Sequence, residues 1–232
     1  MNKTISLACY NRPQVLRETL DSIKEQMANL ADYKLYINCE PGNNEVIDII
    51  KNIDFIETDI VINSKQLGLN ANTFAHISRA FEKSDFNLYL EDDIVLSPDA
   101  LNLFEWYMEQ DLTDIAMMAL CNITDRGNKL DENLLYRTRL MYCWGFVVSN
   151  KQFEKYFKPV WFPTTGYWAR NSANHIRSFK NLYNILPQLS RATTIGRTGA
   201  NMREHHWRKY DLENHKFNTD RKKFNYYLKK DI

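Results

Sequence analysis

With 232 residues, 44% of them hydrophobic and 25% charged, the chain can bury one sizeable core, and its composition excludes disorder. A formal net charge of +1 excludes a global field that would draw it to nucleic acid or to a membrane surface. No stretch is apolar for long enough to span a bilayer, and Met1-Asn2-Lys3 runs straight into a strand with no signal-like segment, so a cytoplasmic protein is expected.

In chain order, Thr4 to Cys9 reads as a first strand, apolar on both faces. Asn11-Arg12-Pro13 breaks it and opens a helix, with Pro13 at an early position where its missing N–H costs nothing and Val15, Leu16, Leu20 and Ile23 as the apolar stripe. Tyr33 to Cys39 is a second strand, stopped by the turn cluster Glu40-Pro41-Gly42-Asn43-Asn44. Val46, Ile49 and Ile50 mark a short helix, Asp59 to Ile62 a third strand, and Asn70 to Phe81 another helix. Phe86 to Leu90 is a fourth strand that runs into Glu91-Asp92-Asp93, and Pro98-Asp99-Ala100 starts a helix through Tyr107. From Ala116 the rhythm changes, with strand pieces at Leu135-Tyr136 and Trp144 to Val148, a polar loop from Thr124 to Asn133, and a helix over Arg170 to Leu182. The basic, aromatic tail after Arg203 reads as a capping helix with a frayed end. Alternating strands and helices predict one α/β domain over 1–232: a mostly parallel, Rossmann-like sheet flanked by helices, with a small antiparallel portion in the second half. The ligand-binding half is expected at about 1–115 and the remainder, with the tail, at about 116–232. The four cysteines, Cys9, Cys39, Cys121 and Cys143, have no metal-ligand spacing and read as reduced thiols.

Ligands gather at the carboxyl ends of strands in such sheets, which directs attention to Arg12, Glu40 and Glu91-Asp92-Asp93. Unpaired carboxylates at the tip of a buried strand are costly, and hard oxygen ligands suit Mg²⁺ or Mn²⁺ beside a phosphate-bearing ligand. A solvated strand-to-helix turn explains the same three letters. Arg12 offers a planar fork of donors to a base, or simply faces water at a helix start. Glu40 accepts from a base or ribose, or is a solvated turn acid; Asn70 lies near a ligand, or is a helix cap. Arg191 and Arg197 are candidates to neutralise a leaving diphosphate, and His175, His205 and His206 to serve as ligand or base.

These segments, in this order, resemble the A-type glycosyltransferase fold and, more closely, the N-acetylglucosaminyltransferase I family. Ala8-Cys9-Tyr10-Asn11-Arg12 resembles that family's first strand and uridine-contacting arginine, and Glu40 in Asn38-Cys39-Glu40-Pro41-Gly42 sits where the family reads uracil. Asn70 stands in place of a histidine near base and ribose. Glu91-Asp92-Asp93-Ile94 with Pro98-Asp99 matches the acidic metal motif, which by resemblance gives Asp93 to Mn²⁺ or Mg²⁺ and Asp92 to the donor ribose. Leu134 to Thr138 and Trp144-Gly145-Phe146 resemble the acceptor-side strands, and Pro187 to Arg191 with Gly196-Arg197 and Gly199 the loop that closes over the donor. The resemblance implies a metal-dependent transferase using a nucleotide-sugar donor, UDP-linked, with inversion. One segment departs: the family's Trp-Asp-Asp-Trp, which holds its catalytic base, is here Gly166-Tyr167-Trp168-Ala169-Arg170-Asn171, without a carboxylate. An inverting transfer needs a proton acceptor, and the nearby substitutes are Asp125 and His175. The acceptor is therefore left open between a glycan, a glycolipid and modified DNA, in a microbial or viral enzyme, with a catalytically inactive nucleotide- or glycan-binding relative as the alternative.

Overall fold

The computed structural model describes residues 3–124, 130–162, 167–197, 202 and 204–229. Strand β1 (Lys3–Cys9) lies between β2 (Tyr33–Cys39) and β4 (Phe86–Glu91), parallel to both, which is why it is apolar on both faces. Outside β2 runs β3 (Glu57–Ile62), an outermost strand whose Glu57, Val61 and Ile62 are exposed. Helices α1 (Pro13–Lys24), α2 (Asn44–Lys51), α3 (Leu69–Phe81) and α4 (Ala100–Met108) alternate with the strands of this half. Helix α2 is capped by the Asn43 side chain, which accepts from the Val46 N–H at 3.1 Å. Pro13 opens α1, and Gly68 precedes α3 at φ 79°, a conformation that favours glycine.

Beyond Glu91 the chain turns through β5 (Ile94–Leu96), and the second half contributes β6 (Ile115–Ala119), β7 (Leu134–Thr138), β8 (Phe146–Ser149), β9 (Tyr183–Pro187), β10 (Ala192–Thr194) and β11 (Tyr227–Lys229). The large sheet has the order β11-β7-β9-β6-β8-β4-β1-β2-β3, and β10 pairs antiparallel with β5 in a small second sheet. Strand β8 enters antiparallel between β4 and β6, the change of direction that the altered rhythm after Ala116 anticipates. A helical stretch, α5 (Asn150–Gln152) continued to Val160, then α6 (Trp168–Ser178) and α7 (Glu204–Lys209), complete the element order.

Period two divides the sheet's side chains between two apolar layers. Phe86, Leu88 and Leu90 of β4 and Val147 of β8 join one, whereas Tyr89, Phe146 and Val148 join the other. The second layer is aromatic: Trp161 and Trp168 stack at 4.3 Å, and Trp168 meets Tyr89 edge-on at 5.6 Å. Two sequence expectations need correction. The tail after Arg203 is helical only over α7 (Glu204–Lys209); beyond Asn214 it is extended and ends in β11, parallel to β7, where its aromatic rings cover a buried ion pair described below. Arg191 is no candidate for a diphosphate: it is 1% exposed and bonded to Asp99.

One residue of the second layer carries a cost. His76 is fully buried and stacks on Tyr89 at 5.6 Å, and neither ring nitrogen has a partner among the described residues. Burial, and after it the charge of Arg79, pushes its pKa down to about 3. A folded-state pKa below the unfolded one gives stability that is complete above the unfolded value, near 6.5, and lost as pH falls toward 3. His76→Leu should therefore stabilise the fold at pH 7 by about 1–3 kcal/mol, a gain of roughly 3–10 °C in melting temperature. Its advantage should widen between pH 6.5 and pH 5 in thermal melts; a variant that melts below wild type contradicts this.

Candidate active site

The acidic run forms the turn between β4 and β5, so Glu91, Asp92 and Asp93 sit at the carboxyl end of β4 beside the ends of β1 and β2. Thr19 of α1 pins this turn by donating to the Asp92 carbonyl at 2.9 Å. Arg12, at the entrance to α1, lies across both aspartates: Nη1 donates to Asp93 Oδ2 at 2.8 Å and Nη2 bonds to Asp92 Oδ1. The loop that follows β10 closes the corner. The Ile195 N–H donates to the Asp93 carbonyl at 2.9 Å, and a Cβ on Gly196 would fall 1.8 Å from Asp93 Oδ2. Only a glycine lets this loop approach so near a carboxylate.

Crowded acids in a buried corner raise one another's pKa. Glu91 is pushed up to about 8, first by burial and then by Asp93, while its Oε1 accepts from the Tyr89 hydroxyl at 2.8 Å. Burial likewise raises Asp92, with Arg12 pulling the other way. Burial works against the charge on Arg12, but Asp93 and Asp92 more than offset it and leave its pKa raised.

A cavity of about 940 Å³ opens over this corner. Among the candidate polar residues singled out from the sequence, Arg12, Glu40, Glu91, Asp92, Asp93 and His206 line it, whereas His205 does not. Glu40 is 4% exposed and braces the turn before α3: Leu67 N–H reaches both of its oxygens, at 3.1 and 3.0 Å, Gly68 N–H donates at 2.7 Å and Asn63 Nδ2 at 3.0 Å. Asn70 ties α3 to the aromatic layer, taking Trp161 Nε1 on its carbonyl and the Trp168 N–H on its side chain. Arg197 is outside the main cavity, in ion pairs with Glu204 and Glu213, and borders an adjoining hollow with Arg12 and Gly196. His175 is near the end of α6 with its ring edge-on to Phe179 and does not reach the cavity. Asp125, Gly166, Gly199 and Arg203 lie outside the described residues.

The structure also brings to the cavity wall Trp144, placed by resemblance in an acceptor-side strand, Tyr167 and Arg170, to which the sequence reading gives no role, and Tyr210, which it does not single out. Attention to a missing carboxylate in the segment after Tyr167 hides the cation that the same segment supplies.

The acidic corner fits a divalent cation. Its oxygens are hard ligands, and it already holds one positive group, the Arg12 guanidinium. Among the described residues no group of three histidine, cysteine or acidic side chains is arranged around one point. That suits a cation held by one or two carboxylates plus a ligand's phosphates, rather than by an all-protein cage.

A predominantly parallel sheet flanked by helices, with the acidic turn at its carboxyl edge, defines an A-type glycosyltransferase fold. The chain belongs to the family described as Glycosyltransferase like family 2, whose model matches residues 3–145. Among solved structures it is similar to S. aureus TarS 1-349 in complex with UDP-GlcNAc, at 11% identity and a TM-score of 0.67, covering 87% of this chain and 60% of that one. It is also similar to the mannosyltransferase PcManGT from Pyrobaculum calidifontis in complex with GDP-Man and Mn²⁺, at 12% identity and a TM-score of 0.59, covering 80% of this chain and 54% of that one. The chain thus spans little more than half the length of these two proteins. No curated protein matches it by sequence. No helix of the described residues is long and apolar enough to cross a membrane.

Proposed function

We propose that the protein transfers a sugar from a nucleotide-sugar donor to a hydroxyl acceptor, in a single inverting displacement assisted by Mn²⁺ or Mg²⁺. The observation that carries this is the Arg12-Asp92-Asp93 corner at the carboxyl edge of the sheet, under a cavity large enough for a nucleotide sugar. Family membership supports it, and the two similar structures bind UDP-GlcNAc and GDP-Man. A UDP-linked donor is the finer reading. It rests on the likeness of the segments around Arg12, Glu40 and Asp93 to the N-acetylglucosaminyltransferase I family, which we carry over for the donor side alone.

In this reading Asp93 holds the cation, with Asp92 beside it toward the ribose. When bound, the cation supplies positive charge against the negative charge that develops on the leaving diphosphate. Arg12 pairs with both aspartates and fixes their side chains, and its charge opposes the rise that burial imposes on the Asp92 pKa. Glu91, at the cavity wall beside Asp92 and Asp93, is placed to hydrogen-bond the donor sugar. Arg197, in the adjoining hollow, is placed to leave its exposed ion pairs for the phosphates, since such pairs contribute little. The first turn of α6 has no acid, which favours one second reading, a relative that binds donors without turnover.

A thermal-shift screen of nucleotide sugars, with and without Mn²⁺, tests the proposal. A donor at a hundred times its Kd should add about 2.7 kcal/mol of stability, and the shift should need the cation. Release of nucleoside diphosphate then separates an enzyme from a binder. If no nucleotide sugar shifts the melt, the proposal fails.

A further inference from the structure

Among the described residues, every carboxylate lining the cavity comes from the first half of the chain, while the lining from the second half carries no acid and includes Trp144, Tyr167, Arg170 and Tyr210. Trp144 and Tyr210 meet edge-on at 5.7 Å and 77°, a pair of ring faces suited to a sugar. Arg170, in the first turn of α6, is exposed at the cavity wall. The cavity's other arginine, Arg12, is spent on Asp92 and Asp93. Arg170 has no ion pair or hydrogen bond among the described residues. Its nearest lining neighbour in sequence, Tyr167, is a neutral phenol with its hydroxyl 3.7 Å from Cys143 Sγ. A planar fork of donors facing a ligand cavity without a carboxylate partner matches an oxyanion on the ligand. In the proposed reaction the donor's own negative charge is met by the cation at the Asp93 corner and by Arg197, not by Arg170.

We propose that the acceptor bears an anionic oxygen group, phosphate or carboxylate, beside its attacking hydroxyl, and that Arg170 holds that group. This rests on the glycosyltransferase reading and adds the class of acceptor. It also separates Arg170 from a purely structural role, because an exposed side chain without protein partners contributes nothing to packing that its removal would reveal.

The test uses the full chain with Mn²⁺ and whichever nucleotide sugar shifts its melt. Diphosphate release is followed with three matched acceptors: a methyl hexoside, its 6-phosphate and the corresponding methyl hexuronide. One or both anionic acceptors should show a KM roughly ten- to a hundredfold below that of the neutral glycoside, the range of one or two charge-assisted hydrogen bonds. A response to the phosphate alone or to the uronide alone assigns the anion. Arg170→Ala should collapse that preference toward one while the donor-induced shift persists, showing an intact fold, and Arg170→Lys should restore part of it. Anionic acceptors no better than the neutral one overturn the proposal, as does a preference that survives Arg170→Ala, or a loss in Arg170→Ala that falls on donor KM. Those results leave the donor reading standing; a chain that no nucleotide sugar stabilises takes down both.

Discussion

Asp93→Asn should lower the rate of sugar transfer by at least about a thousandfold and leave the melting temperature within a few degrees of wild type. The first expectation follows from the corner's chemistry: a neutral amide keeps the shape of the side chain but not the charge that holds a cation against a diphosphate. The second follows from its electrostatics. Asp93 gives up one ion pair with Arg12, which keeps Asp92, and in exchange Glu91 loses the like charge that helps hold its pKa up to about 8. Gly196→Ala should give a similar loss for a steric reason, since its Cβ must displace the Asp93 carboxylate or the loop that carries it. Diphosphate release and a thermal melt check both variants. Transfer by Asp93→Asn at near the wild-type rate would remove the metal role and the account of the corner with it.

Asp99→Asn should be the most destabilising conservative change, at about 3–5 kcal/mol, or a melting temperature lower by roughly 6–20 °C. Asp99 is 1% exposed and takes four side-chain donors. Ser97 Oγ and Asn218 Nδ2 reach Oδ1, both at 2.7 Å, and Arg191 Nε and Tyr226 Oη reach Oδ2 at 2.5 and 2.6 Å. An asparagine would point an N–H₂ at two of these donors and leave the Arg191 guanidinium buried without its counter-ion. Arg191 spends its remaining donors on the Leu189 and Glu132 carbonyls, and Phe224 and Tyr226 cover it at 4.7 and 5.8 Å, so no water can take over. Tyr226→Phe removes a single hydrogen bond and should cost only about 1 kcal/mol. Calorimetric melts of both variants settle the point: equal, small losses would mean that the network is incidental. The consequence reaches the active corner, because β10 begins at Ala192 beside this pair and delivers Ile195 and Gly196 onto Asp93.

The first half of the fold is legible because its signals are local. Tyr33–Cys39 emerges with the bounds its β-branched and aromatic run predicts, and Pro13, Asn43 and Gly68 mark helix starts by conformational rules that need no partner. The acidic turn is legible for the same reason, as charge at the end of an apolar strand. The second half is harder. Strand β8 is four residues long and antiparallel between longer neighbours, and the tail leaves helical structure after α7 to lay Phe224 and Tyr226 on Arg191.

By itself the sequence determined the alternating elements, the carboxyl-edge location of the acids and the candidacy of Arg12, Glu40, Asp92 and Asp93, because periodicity and charge are written residue by residue. Tertiary structure alone decided which charges meet. It placed Arg12 on the two aspartates, turned Glu40 inward to hold the turn before α3, buried Arg191 against Asp99, and left Arg170 facing the cavity. A guanidinium reads the same in sequence whether it meets a carboxylate, a carbonyl or a ligand; its partner is chosen by residues tens of positions away that packing brings within 3 Å.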